Sequence, residues 1–112
     1  MNFQMQSSAI KIGSRTFAIA LLDDRTFDQI LSRRTNEPEP VKSFIDYDDQ
    51  LICVREKLKY DHKRELILHE ILHACLDDSG IDDDDNERLI SILAPRLIGL
   101  VDNLPIILDE LT

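Results

Sequence analysis

His69-Glu70-Ile71-Leu72-His73 is the string in this sequence whose residue types and spacing could do chemistry. Two imidazoles at i and i+4 stand one turn apart on one helical face, so both can reach a single tetrahedral ion. The glutamate sits about 100° round the helix from His69, where its carboxylate can address a water on that ion without ligating it. Metal-assisted hydrolysis divides its labour in this way: the ion lowers the pKa of the water towards about 7, and the carboxylate accepts the proton. An HExxH string can also arise by chance on a charged helix. Here both histidines fall on an apolar stripe with Leu66 and Leu76, and two imidazoles buried together without a shared partner are costly. The pattern therefore points to His69 and His73 as metal ligands.

The elements that must position them can be read from the flanking sequence. From Asp61 the apolar period is helical: Leu66, His69, His73 and Leu76 are spaced 3, 4 and 3, with Leu68, Ile71, Leu72 and Cys75 beside them. Asp61 is the expected N-cap and Gly80 the expected stop. After the acidic stretch Ile81 to Asp85, a second helix carries Ile90, Ala94, Leu97 and Val101 on one row, with Pro95 as an expected kink. Continued towards the N-terminus, that row reaches Glu87. If the two helices pack antiparallel, Glu87 faces the histidines and supplies the third protein ligand that a catalytic site requires. The alternative is a first-turn acid favoured by the helix dipole.

In the first half, Ala9–Ile12 and Thr16–Leu21 read as strands joined by a turn at Gly13-Ser14, and Ser43–Tyr47 and Leu51–Val54 as a second hairpin. Residues 23–34 place Phe27, Ile30 and Leu31 on one side of a short amphipathic helix. Asn36-Glu37-Pro38-Glu39-Pro40 marks a loop. The apolar tail Leu104-Pro105-Ile106-Ile107-Leu108 is expected to pack back as a last turn or short helix. The expected fold is α+β, with a small antiparallel sheet packed on the HExxH helix and the glutamate helix. It is read as one domain over residues 1–112.

Composition narrows the function classes. The chain has 13 Lys+Arg against 22 Asp+Glu, a formal charge of −9, 43% hydrophobic residues and no Trp. An acidic surface repels phosphate, so nucleic acid is not expected as a partner. Weak basic clusters at Arg33-Arg34 and Lys57-Lys59-Lys63-Arg64 read as solvated surface. Charges break the apolar stretches before about 20 residues are reached, so no membrane span is expected. Residues 1–13 lack the pattern of a signal peptide, which favours the cytoplasm and leaves Cys53 and Cys75 as thiols.

With these residues in place, the chain resembles the gluzincin branch of HExxH zinc metallopeptidases, in which a glutamate on the following helix completes the site. Asn86-Glu87 is similar to the Asn-Glu that opens that family's glutamate helix. The pattern over residues 43–108 resembles single-domain minigluzincins and small metallopeptidase-like proteins of phage and prophage genomes. The resemblance implies a zincin-like core, Zn²⁺ as cofactor, His69, His73 and Glu87 as its ligands, Glu70 as general base and acid, and a peptide or protein substrate. Two departures stand out. Larger gluzincins place an aspartate four positions after the ligand glutamate to orient a zinc histidine; here that residue is Ser91, leaving such support to Asp77 or Asp78. They also supply an oxyanion-stabilising Tyr or His from a later domain, for which His62, Tyr60 and Tyr47 are the candidates here.

Other features read more simply. Asp82–Asp85 lacks the ligand alternation and glycine of a calcium loop and reads as a solvated loop and helix start. Cys75 turns about 200° from His73 and reads as a buried apolar thiol. Leu51–Val54 is expected as an edge strand beside the metal helix, able to take an extended peptide by strand addition. Two competing readings remain at this point: a zinc-stabilised, non-catalytic interaction or regulatory module, and an acidic mimic of nucleic acid. Oligomeric state is left open by the sequence.

Overall fold

The computed structural model describes residues 6–34, 41–81 and 86–112. The expected proline loop Asn36–Pro40 and the acidic run Asp82–Asp85 lie outside these residues. The order of elements is β1 (Gln6–Ile12), β2 (Arg15–Leu22), α1 (Asp24–Arg34), β3 (Ser43–Asp46), β4 (Leu51–Arg55), α2 (Tyr60–Asp78) and α3 (Glu87–Leu111). The protein is α+β, as the sequence predicts.

Local chemistry makes both hairpins. β1 and β2 pair antiparallel from Gln6↔Leu21 to Ile12↔Arg15, leaving Gly13 and Ser14 as a two-residue turn. Gly13 has φ 61°, the left-handed conformation that a first central turn residue needs and that glycine reaches without a Cβ penalty. β3 and β4 pair antiparallel through Ile45↔Ile52, and the Asp49 amide donates to Asp46 Oδ1 at 3.0 Å to fold the connection. The hairpins join in a way that the sequence reading did not anticipate. β2 and β4 are parallel, with Ile19↔Ile52 and Leu21↔Val54, and the sheet order is β1-β2-β4-β3. The sheet is therefore mixed, not wholly antiparallel. Leu51–Val54 is an interior strand, and β1 and β3 are the outer ones.

Alternation along the strands divides the core between two faces. Phe17, Ile52 and Val54 are fully buried beneath α2 with Ala74, and partly buried Ile67 and Ile71 extend this layer. Ala20, Leu22 and Cys53 point the other way and bury Phe27 of α1, whose ring meets Phe44 edge-on at 5.1 Å. α1 is capped by Asp23, whose Oδ1 accepts the Thr26 amide at 2.7 Å. That bond is the main reason the Asp23 carboxyl is held below its usual range. Arg55 ties α1 to the sheet: it donates to Asp24, to Asp28 and to the Val41 carbonyl, and lies over the Phe27 ring.

α2 begins one residue before the expected Asp61 cap. Lys59 is the N-cap and makes no side-chain cap bond; its carbonyl accepts the Lys63 amide at 2.9 Å. The stop at Gly80 is as expected. Gly80 has φ 76°, its amide donates to Asp77 and the Ile81 amide donates to Leu76, a Schellman closure. Cys75 is exposed, contrary to the reading of a buried thiol. The sheet takes Ala74, and Cys75, about 100° further round the helix, turns from it to solvent.

α3 is one helix from Glu87 to Leu111 with Pro95 and Pro105 inside it. Ile90 and Ala94 are buried, but Val101 is 57% exposed. The expected stripe is thus covered over its first half only. The tail does not fold back. It continues α3, and residues 101–112 are all exposed. α3 is long and apolar enough to cross a membrane by length and composition alone, so the expectation that no such segment exists does not hold. The radius of gyration, 15.1 Å, exceeds the roughly 13 Å of a compact chain this size, as a projecting helix requires.

Candidate metal centre

The three donors come from two helices. His69 and His73 stand one turn apart on α2, with ring centroids 4.8 Å apart and Nε2 atoms 3.1 Å apart. Glu87 opens α3, and its carboxylate spans both rings: Oε1 lies 2.9 Å from His69 Nε2 and Oε2 lies 2.6 Å from His73 Nε2. The in-phase row read from the sequence therefore brings Glu87 to the histidines. The antiparallel crossing that permits this is fastened at its other end by Arg64 of α2, which donates to both carboxylate oxygens of Asp102 on α3. The sequence reading took Arg64 as solvated surface. A basic residue early in one helix and an acid late in the next is the signal that could have found the pair.

Glu70 is the other buried polar residue of α2, 6% exposed, and a carboxylate oxygen lies within 4.8 Å of a ring nitrogen of each histidine. The four side chains line one groove of about 590 Å³, whose opposite wall is the edge strand β3 with Ser43, Phe44 and Ile45, together with Tyr47. The strand beside the histidines is thus an edge strand, but it is β3 and not Leu51–Val54.

Other expected contributors divide clearly. Tyr47 reaches the groove. Tyr60 is 71% exposed and stacks with Arg64, and His62 is not among the groove residues. Asp77 and Asp78 do not back the histidines; they face the β1–β2 turn, where Arg15 Nη2 bonds Asp77 at 2.8 Å and Arg15 Nε lies 3.8 Å from Asp78. Ser91 turns to Glu87, with Oγ 3.4 Å from Oε1, a long hydrogen bond to the carboxylate instead of to an imidazole.

No protein-family model, curated protein or solved structure matches the chain. Two ring nitrogens and a carboxylate are all Lewis bases, so their convergence requires a proton or a cation among them. Donors about 2.0–2.1 Å from one tetrahedral ion are about 3.3 Å apart. The observed separations, 2.6 to 3.1 Å, are slightly shorter, so small outward movements of the side chains would admit an ion. The mixed imidazole and carboxylate set suits a divalent transition metal, and the solvent-facing groove leaves room for a fourth ligand.

Proposed function

We propose that this protein is a small zinc-dependent peptidase of gluzincin type, with His69, His73 and Glu87 holding the ion and Glu70 moving the proton. The observation that carries the reading is the convergence of the two Nε2 atoms and the Glu87 carboxylate, 2.6–3.1 Å apart, beside the buried Glu70 in an open groove. When bound there, zinc supplies Lewis acidity and lowers the pKa of a coordinated water to about 7.

The chain's own residues do the rest. Glu70 acts as a base and not as a ligand in this reading: its carboxylate accepts the proton of the attacking water and returns it to the leaving amine. The low exposure of Glu70, 6%, limits competition from bulk solvent for that proton. The outer edge of β3, where no strand among the described residues lies, can hold an extended peptide across the groove by backbone hydrogen bonds. Tyr47, which lines the same groove, would meet the scissile carbonyl.

A non-catalytic, metal-stabilised module is favoured by one observation, the engagement of Asp77 and Asp78 with Arg15, which takes from the histidines the supporting acids that the sequence offered. One experiment separates the two. Untagged protein is loaded with zinc, its metal content is measured, and it is incubated with a casein or mixed-peptide substrate beside Glu70→Gln. The peptidase reading expects about one zinc per chain in both proteins and a fall in turnover of about 10²–10⁴ in the variant. Turnover that survives Glu70→Gln refutes the mechanism, and stoichiometric zinc with no turnover in either protein assigns the site to the metal-stabilised module.

A further inference from the structure

The second half of α3 leaves its own chain. Ile90 and Ala94 bury against α2, but Leu93, Leu100, Leu104, Ile107 and Leu111 are between 37% and 77% exposed. Their spacing is regular. Ile90, Leu97, Leu104 and Leu111 recur every seven residues, and Leu93, Leu100 and Ile107 recur every seven between them. Leu or Ile thus fills both inward rows of a heptad for three repeats, the pattern by which two helices interlock along one seam. A helix that served only its own α2 needs no such period beyond Asp102, where α2 stops covering it. Pro95 and Pro105 fall on the sides of the helix turned away from the seam, so neither ring obstructs a partner.

We propose that α3 pairs with α3 of a second copy of this chain, antiparallel, about a two-fold axis at Asp102. Antiparallel pairing alternates the two rows: Leu100 meets Leu104 of the second copy, Leu97 meets its Ile107, and Leu93 meets its Leu111. The charges beside the seam select this direction. In the same register Arg96 flanks Glu110 of the second copy, twice by symmetry, and Asn103 flanks Asn103. Parallel pairing sets Arg96 beside Val101 and gives no opposite-charge pair. Insertion of α3 into a lipid bilayer is disfavoured by the contacts it already makes. Asp102, near its middle, is ion-paired with Arg64, and Glu87 at its start is held between His69 and His73.

The test is sedimentation equilibrium of the full chain over a range of concentrations. Wild type is compared with Leu104→Asp, Arg96→Glu, Glu110→Arg and the double change Arg96→Glu/Glu110→Arg, with circular dichroism confirming the fold of each. The expected result is a concentration-dependent dimer that Leu104→Asp converts to monomer. Each single charge change should weaken the dimer about threefold to tenfold, and the double change should recover it. Because Arg96 and Glu110 are exposed, those variants test the pairing even where Leu104→Asp perturbs the helix. A monomer at every concentration, or a dimer that survives Leu104→Asp, overturns the proposal. Failure of the double change to recover association overturns the antiparallel register. Cosedimentation of monomer with phosphatidylcholine vesicles assigns the seam to a lipid surface instead.

Discussion

Glu87→Ala separates a metal centre from a cluster of side chains that merely lie close together. Glu87 is 59% exposed, so without metal the loss of its contacts to the two imidazoles should change stability by no more than about 1 kcal/mol. With metal the outcome differs. Zinc at about 100 times its dissociation constant stabilises the folded chain by about 2.7 kcal/mol. At about 4 °C per kcal/mol for a chain of this size, Tm should rise by about 10 °C. Glu87 spans both imidazoles, so its loss should weaken zinc by at least the roughly 100-fold that even indirect supporters of a ligand can cost. At the same zinc concentration the variant then keeps about 0.4 kcal/mol, or about 2 °C. Glu70→Gln, which leaves the three proposed ligands intact, should keep the full shift. Thermal melts followed by far-ultraviolet circular dichroism read all three proteins, and suit a chain without Trp. A zinc-induced rise in Glu87→Ala equal to that of wild type would falsify the three-ligand site, as would a wild type whose Tm does not respond.

Four further outcomes test the scaffold. Arg55→Ala removes the bond to the Val41 carbonyl and the stacking over Phe27 and should cost about 2 kcal/mol in urea unfolding; its ion pairs, made to largely exposed partners, add little. Asp24 is held below the usual carboxylate range by hydrogen bonds from Lys57 and then Arg55. A lowered folded pKa gives stability above the unfolded pKa that is lost as pH falls through the folded value, so acid titration of stability should lose part of its slope below about pH 4 in Asp24→Asn. Gly13→Ala forces a left-handed residue to carry a Cβ, which would overlap the Asp78 carboxylate, and should destabilise by about 1–2 kcal/mol on backbone grounds. In the native protein a thiol reagent should modify Cys75 and spare the fully buried Cys53, with both reacting in urea.

Legibility followed sequence distance. Both hairpins, the HExxH helix and its Gly80 closure are encoded within a few residues, and each stands where the pattern placed it. Glu87 was found because a helical row can be extended by arithmetic. The parallel β2–β4 pairing was missed because nothing local specifies it. Its signal was present in Leu51-Ile52-Cys53-Val54, an unbroken apolar run of the kind carried by a strand buried on both faces. The exposed continuation of α3 was missed for a different reason. Apolar content in Leu104–Leu108 was taken to require burial within the chain, whereas a seven-residue period can serve a surface outside it.

The parallel join between the hairpins also sets an order of assembly. Each hairpin closes across two or four residues, a local and rapid event. Bringing Leu22 level with Arg55 must close the much longer stretch that contains α1, and this is the slow, non-local step. Phe17 belongs to one hairpin and Ile52 and Val54 to the other, yet all three floor the helix that carries His69 and His73. The histidines therefore have no rigid floor until both halves of the sheet have met, so their alignment with Glu87 is among the last parts of the fold to mature.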